Sequence, residues 1–341
     1  MKTIILLITM ACFASSYAQV ANYNFVKEGG QPMEIIHYPG TVITNHTVTD
    51  DEVLPAKIPL GFPFMFNGVV YDSVGISENG FVWFGAEQAD AIQSVTRPIS
   101  TILNPRVRGI VCAVCDDLHP HVNTGLTTTI KSGVTGTSPM EELIIEWKNT
   151  SRFDALNDAA GEDTMFFQIK LYRFMNRIEV AYGHTGLNPN VTTQVEVGLK
   201  GALANDFNNR MTDAAHNWKN SLEGTDKAST CKLERDFQPE YGDMYVWMNL
   251  TQNPPNSVAD NPENTAKVYP VPAGNELFVE TENPAVETIE VYDVTGRMVK
   301  TSSVSGLVTR INVEDLQAGM YIVSLKSGSQ VVSTNRIAIS R

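Results

Sequence analysis

Cysteine is scarce in this chain, with four in 341 residues, so no dense disulfide scaffold can hold it together. None is required, because a chain of this length supports about two domains, the larger with a full hydrophobic core. Basic charge is also short: 25 Lys and Arg face 38 Asp and Glu, a formal net charge of -13. The resulting field repels nucleic acid and anionic lipid, which removes nucleic-acid binding from the expected activities. Beyond the first 20 residues no apolar run approaches the roughly 20 needed to cross a bilayer, so no transmembrane span is expected. Enzyme signatures are missing too. There is no HExxH and no GKS or GKT phosphate loop, and Gly75-Ile76-Ser77-Glu78-Asn79 ends in Asn where a nucleophile elbow needs Gly. Asp116 and Asp117 are adjacent, as are Glu141 and Glu142, and adjacent carboxylates on a strand diverge rather than flank one scissile bond. No catalytic residue is assigned from the sequence.

What is present begins with a secretory pattern. Lys2, an apolar stretch from Ile4 to Met10, and the small residues Ser16 and Ala18 predict a signal peptide over residues 1–18, cleaved before Gln19. A lipoprotein signal at Cys12 fits less well, since Thr9 stands where a Leu-like residue belongs. Export puts the cysteines in oxidising surroundings, and loss of Cys12 leaves Cys112, Cys115 and Cys231. An odd number permits at most one internal disulfide and leaves a thiol over. The spacing Cys112-Ala-Val-Cys115 lies in GIVCAVCDDL, which reads as a buried strand. Residues three apart on a regular strand face opposite ways, so the two are expected to be independent small core residues, and any disulfide is expected to join one of them to Cys231.

From Met33 to about Leu250 the dominant signal is period two. GFPFMF alternates Phe62, Phe64 and Phe66; ELIIEWKN puts Leu143, Ile145 and Trp147 on one face. TMFFQIKLYRFMNRIEVAYG reads as a hairpin turning near Met175 and Asn176, with Phe167, Ile169 and Leu171 facing Ile178, Val180 and Tyr182. Many short strands with Gly, Asn and Pro between them predict an all-β fold: a jelly-roll-like antiparallel β-sandwich over residues 19–248. The Pro- and Asn-rich stretch over residues 249–266 reads as a linker. A small immunoglobulin-like β-sandwich is expected over 267–341.

That closing segment carries three ordered motifs: Tyr269-Pro270-Val271-Pro272-Ala273, Val291-Tyr292-Asp293-Val294-Thr295-Gly296-Arg297, and Leu316-Gln317-Ala318-Gly319-Met320-Tyr321. It resembles the type A C-terminal sorting domain of the type IX (Por) secretion system of Bacteroidetes, with Val271 where that family usually carries Asn. The resemblance implies that Tyr269, Pro270, Pro272, Asp293, Gly296, Arg297, Gly319 and Tyr321 belong to the sorting motifs. It further implies that the type IX machinery is a partner and that the chain is exported across both membranes to the cell surface or beyond. The preceding region resembles, less specifically, uncharacterised β-sandwich domains of proteins carrying this tag, through Leu60-Gly61-Phe62-Pro63-Phe64, Val74 to Gly85, Asp116-Asp117-Leu118, Ile145-Glu146-Trp147 and Val197-Gly198-Leu199. Such a resemblance implies a fold and no activity.

Two local constellations offer chemistry. In DDLHPH an extended chain would put Asp117, His119 and His121 on one side, one oxygen and two imidazoles for a transition metal; calcium on the Asp residues and loop carbonyls is the alternative. An ordinary surface role for these histidines is the stronger expectation, and no cofactor is assigned. Trp83 and Trp147 lie on alternating strands and belong to the core. Trp218, in the polar run His216-Asn217-Trp218-Lys219-Asn220, is the candidate for an exposed ligand-binding ring. The expectation is a non-enzymatic, adhesin-like sandwich binding a glycan or a host or matrix protein. An extracellular hydrolase of polysaccharide or protein, or a structural surface-layer component, stands as the alternative.

Overall fold

The computed structural model describes residues 19–249 and 266–340, apart from 31–33, 39, 50–52, 55–56, 86–88, 94, 102–103, 123–124, 282, 294–296 and 329. The signal segment 1–18, most of the linker and the motif residue Gly296 lie outside the described residues. The chain divides into two units, both all-β.

The first unit is built from β1 (Asn24–Gly29), β2 (Val42–His46), β3 (Ile58–Phe66), β4 (Val69–Ser77), β5 (Phe81–Trp83), β6 (Ile110–Cys115), β7 (Leu118–Pro120) and β8 (Thr129–Thr135). It continues with β9 (Glu142–Arg152), β10 (Met165–Tyr172), β11 (Ile178–Tyr182), β12 (Thr193–Lys200), β13 (Phe207–Met211), β14 (Leu222–Glu223), β15 (Cys231–Leu233) and β16 (Asp243–Met248). One sheet runs β1-β16-β11-β10-β9-β8-β2, with β7 also on β9; the other runs β14-β13-β12-β6-β5-β4-β3, with β15 also on β12. Hairpins build much of each sheet, and the chain passes between them after β2, β6, β11 and β15.

Period two explains the packing. On β3, Ile58, Leu60, Phe62, Phe64 and Phe66 all point inward. The β10–β11 hairpin has the expected register, Phe167 opposite Tyr182, Ile169 opposite Val180 and Leu171 opposite Ile178. Its turn runs through Met175 and Asn176 at φ 60° and 48°, and the Asn176 side chain accepts a hydrogen bond from the Met65 amide at 2.8 Å. These rows, with Trp147, Trp218 and Trp247, form the main core between the sheets. Burying each such ring is worth about 1.5–3 kcal/mol or more.

A smaller core lies on the other face of the second sheet, where Phe81, Trp83, Ile110, Cys112 and Cys115 pack with Ile92, Ile99 and Val107. Here the structure corrects the reading of the cysteines, because Cys112 and Cys115 form a disulfide with Cα atoms 5.6 Å apart. The reason is a β-bulge. Along β12, Glu196 faces Cys115 and Gly198 faces Cys112, so Ala113 and Val114 together oppose Val197. The extra residue breaks the alternation: Ala113 and Val114 both enter the main core, and the two cysteines return to the same opposite face. Gly198 makes the bulge possible, with φ 136° and a position where a Cβ would lie 2.4 Å from the Asn209 backbone.

The second unit contains β17 (Lys267–Tyr269), β18 (Glu276–Glu280), β19 (Thr288–Asp293), β20 (Met298–Ser303), β21 (Val308–Asn312), β22 (Gly319–Ser327) and β23 (Gln330–Ile339). A three-stranded sheet, β17-β18-β21, packs on a four-stranded one, β20-β19-β22-β23, around an aliphatic core that includes Leu277, Val279, Ile289, Val291, Val323, Leu325 and Ile337.

Candidate functional site

Strands β9 and β11 end, and β10, β12 and β16 begin, at one end of the first sandwich, so the loops that join them gather there. DDLHPH enters this end. It is extended, as expected, and β7 pairs with the last residues of β9, His119 opposite Ser151. Its histidines meet a carboxylate that sequence spacing gave no reason to select: His121 Nδ1 is 3.2 Å from Glu162 Oε2, and His119 Nε2 is 3.9 Å from Glu162 Oε1. The Val122 amide donates to the same Oε1 at 3.0 Å. All three side chains are at most 2 % exposed. Among the described residues no group of three His, Cys, Asp or Glu side chains is placed to hold a metal ion. The histidines close on Glu162, and the Asp117 carbonyl accepts from the Phe153 amide. Asp116 turns to Arg97 at 3.1 Å; burial raises its pKa and the guanidinium partly offsets that.

Beside this cluster lies a buried ion pair. Arg152 donates through Nε to Asp163 Oδ2 at 2.6 Å and through Nη2 to Oδ1 at 3.0 Å, while Nη1 donates to the Val191 and Leu233 carbonyls. The Asn188 amide also donates to Asp163, at 2.6 Å. This fork ties two loops and the end of β15 to the last residue of β9, and removing one partner would leave an uncompensated buried charge. Both clusters are enclosed, with side chains at most 2 % exposed.

Trp218 is placed differently from its expectation. Its ring is 1 % exposed and belongs to the main core. The indole Nε1 donates to the Lys232 carbonyl at 2.8 Å, and the ring packs edge-on to Tyr182 at 5.5 Å and stacks on Tyr245 at 6.3 Å. The surrounding polar residues do form the loop, with Asn217 accepting from the Lys219 amide, but the ring points through it into the sandwich.

An open concavity occurs instead on the edge of the second sheet. Between the pairs Pro59–Ser73 and Phe64–Tyr71, residues 60–63 of β3 oppose Asp72 alone, and this irregular stretch opens a groove of about 1030 Å³. Pro59, Pro63, Val70 and Tyr71 supply apolar surface, Lys57 and Asp72 supply opposite charges, and the Ser73 hydroxyl donates to Asp72 Oδ1 at 2.8 Å. The Tyr71 ring rests on Phe84 at 5.1 Å, and partial burial raises its pKa, with Arg108 opposing. Val70 is exposed. Sequence reading did not single out this groove; Gly61 between Pro59 and Pro63 in IPLGFPF was the available signal of an irregular strand.

In the second unit most sorting-motif residues serve the fold. Ala273 bridges to Ile339, its amide donating to the Ala338 carbonyl at 2.7 Å and its carbonyl accepting from Ser340 at 2.9 Å. Pro270 and Pro272 precede it, both after cis peptide bonds. Asp293 accepts from the Arg297 amide and Nε, both at 3.1 Å. Gly319 opens β22, and the Tyr321 hydroxyl donates to the Gln317 carbonyl at 3.0 Å. Tyr269 is the contrast, 41 % exposed and stacked on Phe278 at 5.8 Å.

Comparison with known families accounts for both units. The family model described as NIDO related matches residues 22–249, more than half of the chain, and the model described as secretion system C-terminal sorting domain matches residues 267–340. The chain belongs to the NIDO-related family and carries a C-terminal sorting domain. It is a cargo of type IX secretion, exported to the cell surface or the extracellular space, and its sorting domain interacts with the type IX machinery. No curated protein matches it. No helix among the described residues is long and apolar enough to cross a membrane.

Proposed function

We propose that the NIDO-related sandwich is a non-enzymatic binding module of adhesin type, delivered to the surface to hold a glycan or a host or matrix protein. In the mature protein residues 1–18 are removed as a signal peptide, residues 19–248 form the binding sandwich, and 249–266 link it to the sorting domain over 267–341. The observation that carries this reading is the open groove on β3 and β4, which joins the tyrosine ring and proline faces to a lysine and a carboxylate. Apolar ring faces stack on sugar rings or apolar side chains, while the charges fix orientation. The site is shallow and open, which suits retention of a polymer. The test is retention of purified protein on immobilised polysaccharides and matrix proteins. Tyr71→Ala and Asp72→Ala should each weaken retention by about tenfold, the loss of roughly 1.4 kcal/mol. The bound polymer should keep its length over time. Accumulating fragments would favour a hydrolase, and equal retention by both variants would remove the groove as the site.

A further inference from the structure

The register of the three-stranded sorting sheet lines up an outward-facing row that the core does not explain. Lys267 faces Glu280 and Glu280 faces Val308; two residues on, Tyr269 faces Phe278 and Phe278 faces Arg310. The intervening row, Val268, Val279 and Thr309, points inward. Period two therefore puts two aromatic rings and Val308 together on the outer face. Leu307, 68 % exposed, adjoins this face, and Val308 and Tyr269 are exposed as well. Ion pairs border the rings, Lys267 with Glu280 at 3.6 Å and Arg310 with Glu276. An apolar centre inside a charged border is the anatomy of a protein interface, and aromatic residues are enriched at such centres. The cross-strand ring pair adds at most about 1 kcal/mol to the sheet, whereas a contiguous apolar patch rimmed by charges marks an interaction surface.

We propose that the outer face of β17, β18 and β21, centred on Tyr269 and Phe278, is the surface by which the sorting domain docks on a protein component of the type IX machinery. The occupant is a protein because that machinery is the domain's partner, and it must present an apolar or aromatic segment bordered by charges to match the ion pairs. The motif residues Ala273, Asp293 and Tyr321 hold the sandwich in shape, whereas Tyr269 is displayed. This surface is independent of the cargo's ligand, so failure of either reading leaves the other standing.

The test uses the full chain in a bacterium with a working type IX system. A photo-crosslinking benzoylphenylalanine is placed at Tyr269, at Leu307 or, on the other sheet, at the exposed Met298. Adducts with a protein other than the chain itself are expected at Tyr269 and Leu307 at about ten times the yield at Met298, the ratio corresponding to roughly 1.4 kcal/mol of preference. Equal yields, adducts at Met298 alone, adducts joining only two copies of the chain, or no adduct would each overturn the proposal. In parallel, Tyr269→Ser and Leu307→Asp should lower the exported fraction severalfold while the melting temperature stays the same. If Tyr269→Ser lowers the melting temperature, Leu307→Asp decides, since its exposed side chain leaves no cavity. Unchanged export of Leu307→Asp would also overturn the proposal.

Discussion

The two sandwiches differ in what they hide. In the NIDO-related unit even charged side chains are enclosed: Lys170 Nζ lies 3.2 Å from Glu179, and Arg177 bridges Glu179 at 3.0 Å and Glu28 at 2.8 Å. Burial pushes the Glu179 pKa up, but Lys170 and Arg177 outweigh it and hold it below the usual value. The sorting unit has an aliphatic core and keeps its charged pairs and two of its rings outside. A large fold can enclose ions only by partnering them, which commits those groups to structure. The rings that remain at the surface are thus the informative ones, and in the first unit none of the four tryptophans is among them: Phe153 and Tyr241 are exposed, and Tyr71 is partly buried at the groove.

The strongest way to break this division is to remove the second unit. Deleting Val268 to Arg341 should abolish export, measured by cell fractionation, while the retained protein keeps its cooperative melting transition; arrival of the truncated protein at the surface would refute the sorting assignment. Next in size is a contrast of rings. All four tryptophans lie in the first unit, so their fluorescence reports its unfolding alone. Trp218→Ala should lower its stability by about 3–5 kcal/mol in urea titrations, whereas Tyr269→Ala should leave the same transition within about 0.5 kcal/mol. Equal small shifts would mean that Trp218 is not a core residue.

That second contrast marks where sequence reading reached its limit. Alternation was enough for β3, β9 and the β10–β11 hairpin, because each strand records its own two faces. Trp218 was misjudged since its neighbours are polar, while the residues that enclose it, Tyr182 and Tyr245, come from distant strands. The cysteines were misjudged because regular alternation was assumed across a bulge; Gly198 inside the strand VEVGLK was the visible sign of it. Glu162 reaches His121 over 40 residues of chain, and local spacing carries no trace of such a meeting. The sorting motifs were legible for the opposite reason, being short, ordered and close together.

A smaller effect sharpens the comparison by titration. Glu146 is fully buried, accepting from the Ile35 amide and Gln168 Nε2, both at 2.8 Å, and burial raises its pKa against those bonds. A raised folded pKa contributes stability that is complete below the unfolded pKa and disappears as pH rises through the folded value. Glu146→Gln keeps an oxygen for Ile35 and removes the charge. The variant should therefore gain on the wild type as pH rises above the ordinary glutamate value of about 4.3, as urea midpoints measured on both sides of it will show. A constant difference would mean that Glu146 ionises alike in both states.

The smallest effect concerns a thiol and should leave stability untouched. Beyond residues 1–18, the proposed signal segment, the cysteines are Cys112, Cys115 and Cys231; the first two are joined, and Cys231 is free and fully buried. Burial pushes its pKa up to about 12, with Arg210 pulling weakly the other way. Thiolate is the reactive form, so both access and ionisation oppose attack. Native mature protein should take up no maleimide, the denatured unreduced chain should take up one equivalent, and the reduced chain three. One equivalent in the native state would show that the core around β15 opens to solvent. Three without reduction would show that the bulge brings Cys112 and Cys115 together without joining them, and would leave the larger sandwich, like the smaller, with no covalent tie.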